Sequence, residues 1–456
     1  MAKIETTYTC QACGARFPKW LGRCAACGGW NTLLEETARK TGGGRNRSSS
    51  RPRAVPMSEV AADSSARVPT GIGELDRVLG GGAVLGGVTL VGGDPGVGKS
   101  TLLLQALSGL AQRKVRALYV SGEESAAQIA ARARRLIGEP PEELLVLAES
   151  ELERVEQALD DAKPGAMVID SVQTIRSSGI ESASGTVSQL REVTARLVDR
   201  AKRANVAMLL VGHVTKDGVL AGPKVLEHLV DTVLAFEGDR GHALRTLRVL
   251  KNRYGSATEV GVFEMGEEGM REVPNPSALF LAERPRGAAG SVIAATAEGA
   301  RSLLVEVQAL VGGPAQGSPR RTANGIDGGR IAMILAVLER KIGLVLSGSD
   351  VFVNVAGGVR VEEPGLDLPL ALALASSARN RAVDPGVVAF GEIGLSGEVR
   401  GVDRVAQRMA EAEAMGFTTA IVPASVGATA KAKKESSGLE VVAVRTLSEA
   451  MDRVIT

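Results

Sequence analysis

The stretch "GGDPGVGKST", residues 92–101, decides the fold of the chain. Gly93, Gly98, Lys99 and Ser100 occur at the spacing of a phosphate-binding P-loop, after an apolar run and before a helical segment, which is the context the motif requires. The glycines let backbone N–H groups wrap the phosphates of a nucleotide, and the dipole of the helix that follows favours the same anion. The stretch therefore predicts a nucleotide site, with Lys99 on the β- and γ-phosphates and Ser100 on Mg²⁺. The residues assigned to this loop are Gly93, Asp94, Pro95, Gly96, Val97, Gly98, Lys99, Ser100 and Thr101.

Apolar strands and helices alternate around the loop, over residues 66–275. "GVTLVGGD", "RALYVSGEE", "AMVIDSV" and "VAMLLVGHV" are apolar, rich in β-branched residues and end in small or acidic residues. Helical segments lie between them, such as Ser100–Gln112 and Thr186–Ala204. Capping-box spacing marks two helix starts, Ser125 with Gln128 and Ser150 with Glu153. This alternation predicts a largely parallel sheet covered on both faces.

Polar side chains follow these strands at the sheet edge where ligands bind. Asp170 ends "AMVID", where an acid can hold the Mg²⁺ shell, although it could also cap a turn. Glu123 and Glu124 follow "YVSG"; Glu123 stands closer to the strand end and is our choice of general base, with Glu124 as the alternative or as a structural acid. His213 follows "LLVG" and either senses the γ-phosphate or is an ordinary hydrogen-bond partner.

All four cysteines of the chain lie in "CQACGARFPKWLGRCAACGG". Cys10 and Cys13 are two residues apart, and Cys24 and Cys27 repeat the spacing, so each pair can turn two thiolates toward one point. Two such pairs are typical of a structural Zn²⁺ site, with a pair of disulfides as the alternative. A unit of this size depends on its metal to fold. Trp20, on the loop between the pairs, is either the small core of this unit or a contact for DNA or a partner.

The composition is that of an ordinary globular protein of two or three domains. The chain has 456 residues, is 44% hydrophobic and has a net charge of +2, so no global field attracts nucleic acid. Residues 36–65 are expected to be a flexible linker, since 39–56 hold six basic residues and no acidic one. The N-terminus has no secretory signal, the longest apolar run is too short for a membrane span, and cysteine is absent after residue 27, so we expect a cytoplasmic protein.

The segment "LRVLKNRYGSA", residues 247–257, is typical of a strand, and two cations two residues apart, Lys251 and Arg253, would share one face of it. With the P-loop, Glu123 and Asp170, it resembles the end of a RecA-like ATPase core. Together with the cysteine-rich unit and the C-terminal region, it makes nearly the whole chain resemble the RadA/Sms family of bacterial recombination and repair proteins. The family's motif is usually KNRFG, and Tyr254 here keeps the ring.

This resemblance implies a RecA-like P-loop ATPase core with a parallel-rich sheet, an N-terminal Cys₄ zinc ribbon and a C-terminal Lon-protease-like domain. The expected ranges are 1–35 for the zinc unit, 66–275 for the ATPase and 285–456 for the Lon-like domain. By similarity to RecA and DnaB, Lys251 and Arg253 act in trans on the γ-phosphate of a neighbouring subunit, in a hexameric ring. ATP, Mg²⁺ and Zn²⁺ are the implied cofactors, and single-stranded DNA, branched DNA and the RecA recombinase are the implied partners.

The C-terminal region resembles the Lon protease domain without its catalytic pair. In "DLPLAL", from Asp367, Leu370 stands at the position of the Lon serine. In "GEIGLSGEVRGVDRVAQRM", from Gly391, Ala406 stands at the position of the Lon lysine. Since a Ser–Lys dyad needs both partners, the resemblance implies a protease scaffold without peptidase chemistry.

Three functions follow from these observations. The first is a DNA-dependent ATPase that processes recombination intermediates and promotes branch migration. The second is a regulatory ATPase switch that binds protein partners. The third is an ATP-dependent protease, against which Leu370 and Ala406 argue.

Overall fold

The computed structural model describes residues 5–10, 14–30, 32–38, 56, 66–180, 182–212, 225–238, 243–285, 287–298, 301–314, 317–426 and 438–455. Cys13 and His213 lie outside these ranges, as do most of the linker and the residues 213–224. The chain divides into two units, Met1–Glu272 and Val273–Thr456, which are described in turn.

The first unit begins with a small antiparallel sheet. Its strands are β1 (Glu5–Cys10), β2 (Arg16–Phe17) and β3 (Leu33–Ala38), in the order β2-β1-β3. Cys10, Cys24 and Leu33 form its buried centre, and Tyr8, Ala15 and Phe17 pack against them. Since so few side chains are buried, a core of this size cannot stabilise the sheet by itself.

A nine-stranded sheet forms the rest of the first unit. Two short strands, β4 (Arg67–Val68) and β5 (Ala83–Val84), pair beside it. The nine strands are β6 (Val88–Gly93), β7 (Ala117–Ser121), β8 (Leu144–Ala148), β9 (Ala166–Asp170), β10 (Ala207–Val211), β11 (Thr232–Glu237), β12 (Leu244–Asn252), β13 (Val260–Gly266) and β14 (Gly269–Glu272). Their order is β14-β13-β12-β11-β6-β10-β9-β7-β8. The six strands from β11 to β8 are parallel, and β12, β13 and β14 extend the sheet in antiparallel pairs.

Helices cover both faces of this sheet, as the strand–helix alternation predicted. They are α1 (Gly73–Leu79), α2 (Lys99–Gln112), α3 (Ala126–Ile137), α4 (Leu152–Ala162), α5 (Val187–Ala204) and α6 (Val225–Leu229). Along β9, Ala166 and Val168 belong to the apolar cluster that contains α2, whereas Met167 and Ile169 belong to the cluster that contains α4 and α5. Every residue of β9 is buried, as expected of a strand between two helical layers.

One of the two predicted capping boxes is present. Ser125 accepts a hydrogen bond from the backbone N–H of Gln128, whose side chain bonds back to Ser125. The prediction for Ser150 and Glu153 is wrong, because α4 begins one residue later, with Glu151 in the N-cap position and no side-chain cap. Glu153 instead accepts hydrogen bonds from Ser177 and Arg196, partners that come from distant parts of the chain.

The second unit is an α/β domain built on a seven-stranded sheet. Its strands are β15 (Ser291–Glu298), β16 (Arg301–Pro314), β17 (Arg321–Asn324), β18 (Ser349–Val355), β19 (Val387–Ala389), β22 (Thr419–Pro423) and β23 (Glu440–Val444), and a hairpin adds β20 (Glu392–Ile393) and β21 (Val399–Arg400). The order in the sheet is β17-β18-β16-β15-β19-β22-β23. The helices are α7 (Pro276–Leu281), α8 (Gly328–Val337), α9 (Asp367–Arg379), α10 (Val405–Ala414) and α11 (Leu447–Val454).

The two positions compared with the Lon dyad lie in different environments. Leu370 is fully buried in α9, and Ala406 is exposed on α10. Two residues after Ala406, Arg408 turns inward: it is 1% exposed, pairs with Glu363 and donates to the carbonyl of Ala295. A leucine and an alanine offer neither a nucleophile nor a base; Leu370 contributes to the core, and Ala406 lies at the surface.

No helix among the described ranges has the length and apolar character needed to cross a membrane.

Candidate nucleotide site and zinc centre

The residues predicted to bind nucleotide converge on the carboxyl edge of the parallel strands. The P-loop follows β6, Glu123 follows β7, and Asp170 is the last residue of β9. Ser121 of β7 pairs in register with Asp170, and Val211 of β10 pairs with Val91 of β6, so the strands end at one level. From β6 the chain continues to β7, which lies on the β10 side of β6 in the sheet. After β10 it crosses to β11, on the other side of β6. The strand order therefore reverses at β6, and ligands of open α/β sheets bind at such a switch point.

The P-loop curls around the side chain of its own lysine. Lys99 is 4% exposed, and its Nζ donates to the carbonyls of Gly93 at 2.7 Å and Asp94 at 2.9 Å. Gly98 has a φ of +113°, a backbone conformation that other residues rarely adopt, so glycine is favoured there. These features give the loop backbone the tight path that a phosphate-binding nest needs.

Three carboxylates act electrostatically on the lysine. Burial lowers the pKa of the Lys99 ammonium below its usual value. The charges of Asp170, Asp94 and Glu123 act in the opposite direction and favour the charged form. The P-loop cation and both acids assigned to catalysis therefore share one electrostatic site.

Asp170 is held by a side chain that the sequence pattern does not point to. The hydroxyl of Tyr119, in the interior of β7, donates to Oδ2 of Asp170, and Arg132 of α3 donates to the Tyr119 oxygen at 2.9 Å. Burial, followed by the charge of Asp170, raises the pKa of Tyr119 well above its ordinary value, so the phenol remains a donor. Tyr119 and Arg132 thus fix the orientation of a carboxylate that is 6% exposed.

The neighbouring acids Glu123 and Glu124 have different partners. The hydroxyl of Ser171 donates to Oε1 of Glu123 at 2.6 Å, which ties this acid to the residue after Asp170. Oε2 of Glu124 lies 2.8 Å from Nη1 of Arg132, in a salt bridge directed toward α3. Glu123 is exposed at the strand end and is tied to Ser171, whereas Glu124 is partly covered and is paired with Arg132 of α3.

Lys251 and Arg253 lie near the amino ends of the parallel strands, opposite the carboxyl ends where the P-loop begins. Asn252 of β12 pairs with Thr232 of β11, which pairs with Thr89 near the start of β6. Four residue steps, roughly 13 Å of strand, lead from Thr89 to Gly93, where the P-loop begins. The two cations are therefore remote from the P-loop of their own subunit.

The two cations also differ in their surroundings. A bulge opposite Val233 displaces Leu250, and β12 ends at Asn252, so Lys251 lies on the strand and Arg253 lies just past it. Nζ of Lys251 donates to the carbonyls of Glu227 at 2.6 Å and Val230 at 2.8 Å, at the end of α6. Burial, and then the charge of Arg253, lower the pKa of Lys251.

Asp231 organises this edge of the sheet. The carboxylate is 2% exposed and accepts from the backbone N–H of Val88 at 3.1 Å. Nη1 of Arg253 lies 3.4 Å away, although 53% of the Arg253 side chain is exposed. Burial and then the charge of Asp231 raise the pKa of Tyr254, which also hydrogen-bonds to this carboxylate. The guanidinium of Arg253 is thus paired with Asp231, while about half of its side chain is open to solvent.

The cysteines that the structure describes fit a zinc centre. The sulfur atoms of Cys10, Cys24 and Cys27 all lie within 4.8 Å of one another, and those of Cys10 and Cys27 are 3.7 Å apart. Four sulfurs at a Zn–S distance of about 2.3 Å on a tetrahedron have edges of roughly 3.8 Å. None of these three is in a disulfide. Matching turns hold both knuckles, since Gly14 N–H donates to the Cys10 carbonyl and Gly28 N–H to that of Cys24, each at 2.8 Å.

Trp20 is not the core of this unit. Its side chain is 55% exposed, whereas Phe17 and Tyr8 pack on the buried cysteines and Leu33. The alternative in which Trp20 forms the small core is therefore wrong, and the other, a contact for DNA or a partner, stays a prediction.

Three family models match separate parts of the chain. The model described as an AAA domain matches residues 54–219 and contains the P-loop, Glu123 and Asp170. The model described as a rubredoxin metal binding domain matches residues 8–35, which contain all four cysteines. The model of subunit ChlI of Mg-chelatase matches residues 332–426 in the second unit.

Curated proteins match the chain over its whole length. A protein named DNA repair protein RadA from Bacillus subtilis is 46% identical, over 99% of this chain and 99% of its own. Proteins of the same name from Halalkalibacterium halodurans and Pseudomonas aeruginosa are 48% and 50% identical over the same shares. The similarity thus extends through the zinc ribbon, the P-loop core and the second unit.

Proposed function

The chain belongs to the family of the DNA repair proteins named RadA, and from that premise we propose that it is a DNA-dependent ATPase that drives branch migration of recombination intermediates. It would bind single-stranded and branched DNA, act on strands paired by the RecA recombinase, and work as a hexameric ring in the cytoplasm. The observation that carries the proposal is the convergence of Lys99, Asp170 and Glu123 at the switch point of the sheet.

Each of these side chains has a role that its surroundings support. Lys99 is directed into the P-loop and would contact the β- and γ-phosphates of ATP. Mg²⁺ would neutralise charge on the transferred phosphoryl group when bound. Asp170, oriented by Tyr119, and Ser100 at the start of α2 are the residues that would hold it.

Glu123 is proposed as the general base. Its link to Ser171 ties it to the residue after Asp170, and a carboxylate at this edge of the site can accept a proton from the attacking water. Glu124 is committed to Arg132, and that pairing supports a structural role for it.

Lys251 and Arg253 are proposed to complete the site of a neighbouring subunit. Their position at the amino edge of the strands supports a trans role, because it excludes contact with the P-loop of the same subunit. Arg253 is the better candidate for direct phosphate contact, since its side chain is half exposed and a guanidinium fork suits phosphoryl oxygens. Lys251 would position it from the strand end. His213, outside the described residues, stays a proposed γ-phosphate sensor.

The test is ATP turnover with and without single-stranded DNA. Lys99→Ala should lower turnover at least about 100-fold, because it removes a preorganised cation from the phosphates. Arg135→Ala is the matched control, since it removes an exposed cation of α3 away from the site and should leave turnover unchanged. An ATP turnover rate that does not change when DNA is added would favour the regulatory switch. Hydrolysis of casein would favour the ATP-dependent protease.

A further inference from the structure

Both tryptophans of the chain lie on the surface of the zinc ribbon. Trp20 is 55% exposed and Trp30 is 71% exposed, and Leu21 beside Trp20 is 39% exposed. Tryptophan side chains are usually well buried, and large exposed aromatic surfaces mark binding sites more often than plain surface. Among the described residues, Cys10, Cys24 and Leu33 form the apolar centre of this unit, and neither indole belongs to it.

The segment that carries these rings is basic, whereas the acidic residues of the ribbon, Glu5, Glu35 and Glu36, lie on β1 and β3. Residues 14–30 contain Arg16, Lys19 and Arg23 and no acidic residue. The guanidinium of Arg23 lies over the ring of Trp30, 5.7 Å from its centroid, and its Nε donates to the carbonyl of Gly28 at 3.0 Å. The basic residues 39–56 follow directly in sequence. The basic residues near Trp20 and Trp30 therefore favour a ligand that is a polyanion and that also has flat apolar rings.

We propose that the zinc ribbon binds single-stranded DNA by stacking unpaired bases on Trp20 and Trp30, with Arg23 and Lys19 on the phosphates. The inference rests on the proposed function and assigns one of its DNA sites. Aromatic side chains stack on bases of any sequence, whereas the bases of a duplex are already stacked on each other. The ribbon should therefore prefer single strands over duplex of the same length.

The zinc knuckle fixes this surface before DNA arrives. Arg23 and Trp30 face each other across a backbone bridge, and the turn at Cys24–Gly28 holds the same segment. A ring that is already oriented loses little conformational freedom on binding, so its stacking energy appears as affinity. A partner protein would need an apolar surface with acidic residues, and that is the competing outcome in the test.

The test uses the full-length protein and an oligothymidylate. Because Trp20 and Trp30 are the only tryptophans, intrinsic tryptophan fluorescence reports on the ribbon alone. Saturating oligothymidylate should quench it, and duplex DNA at the same concentration should quench it less. Affinity is measured separately, from the anisotropy of a labelled oligothymidylate.

Trp30→Ala and Trp20→Ala should each weaken oligothymidylate binding about 5- to 150-fold, the range expected for one stacked base. Leu395→Ala is the matched control, since Leu395 is as exposed as Trp30 but lies in the second unit. Zinc content must stay at one ion per chain, and Trp30→Phe, which keeps a ring, should retain most of the affinity.

The proposal is overturned if oligothymidylate binds without changing the fluorescence, or if both alanine variants keep affinity within twofold of wild type. The exposed rings would then belong to a protein partner. The proposed ATPase function is judged separately: it stands if saturating single-stranded DNA still stimulates ATP turnover in those variants, and fails if wild-type turnover ignores DNA.

Discussion

At the scale of single residues, position along the strand and choice of partner decide which acid can do chemistry. Glu123 and Glu124 are neighbours with the same functional group, yet Ser171 draws one toward Asp170 and Arg132 draws the other toward α3. The order of the two acids in the sequence was enough to prefer Glu123. The reason for the preference, the Arg132 salt bridge, needed the packing of α3 against β7.

This difference predicts opposite results for two conservative changes. Glu123→Gln should bind ATP normally and lose turnover by about 10² or more, because it removes the proton acceptor and little else. Glu124→Gln should turn over ATP within a few-fold of wild type, because it only weakens a partly exposed ion pair, worth about 1 kcal/mol or less. Binding of a fluorescent ATP analogue and release of phosphate measure the two properties. Loss of turnover in Glu124→Gln alone would reverse the assignment.

At the scale of elements, the parallel strands could be predicted and their contacts could not. β6, β7, β9 and β10 are apolar along their length because helices cover both faces, and that pattern is visible in the sequence. The helix start at Ser150 was misplaced, because Glu153 finds partners from another part of the chain. The bulge in β12 likewise depends on pairing with β11 and leaves no local signal.

Lys251, near the end of β12, hydrogen-bonds to the carboxyl end of α6 and is expected to stabilise this helix. Lys251 donates to the carbonyls of Glu227 and Val230, groups that no later turn of the helix can satisfy. Lys251→Ala should destabilise α6 locally by about 1.5–3 kcal/mol, the value of hydrogen bonds to a charged group. Amide hydrogen exchange over Val225–Leu229 should speed up accordingly.

The neighbouring residue provides the control for this measurement. Leu250 is half exposed at the bulge, so Leu250→Ala changes the same strand without touching α6, and exchange there should stay as in wild type. Unchanged exchange in Lys251→Ala would mean that its contacts with α6 add no stability. The cation would then serve the trans site alone.

At the scale of the whole molecule, the order of zinc ribbon, P-loop core and second α/β unit could be predicted because each part has its own sequence signature. Each signature lies within a short stretch of sequence: the cysteine spacing, the P-loop and the strand–helix alternation. The family models accordingly match separate parts of the chain. Under the proposed trans role, one chain would supply only half of the site. Lys99, Asp170 and Glu123 meet at one sheet edge, whereas Arg253 lies at the other, and no pattern within one subunit brings them together.

This separation makes a mixing experiment decisive for the proposed trans role. Arg253→Ala protein should bind ATP and hydrolyse it about 10³-fold more slowly, as expected for loss of a charge-stabilising arginine. Lys99→Ala protein should be inactive although its Arg253 is intact. In a random one-to-one mixture, roughly a quarter of the interfaces join an intact P-loop to an intact arginine, so activity should reappear that neither variant has alone. The control replaces Lys99→Ala with a Lys99→Ala, Arg253→Ala double variant, in which no such interface can form. If mixtures stay inactive while mass spectrometry detects mixed oligomers, Arg253 acts within its own subunit or on DNA phosphates, and the site must obtain its second cation elsewhere.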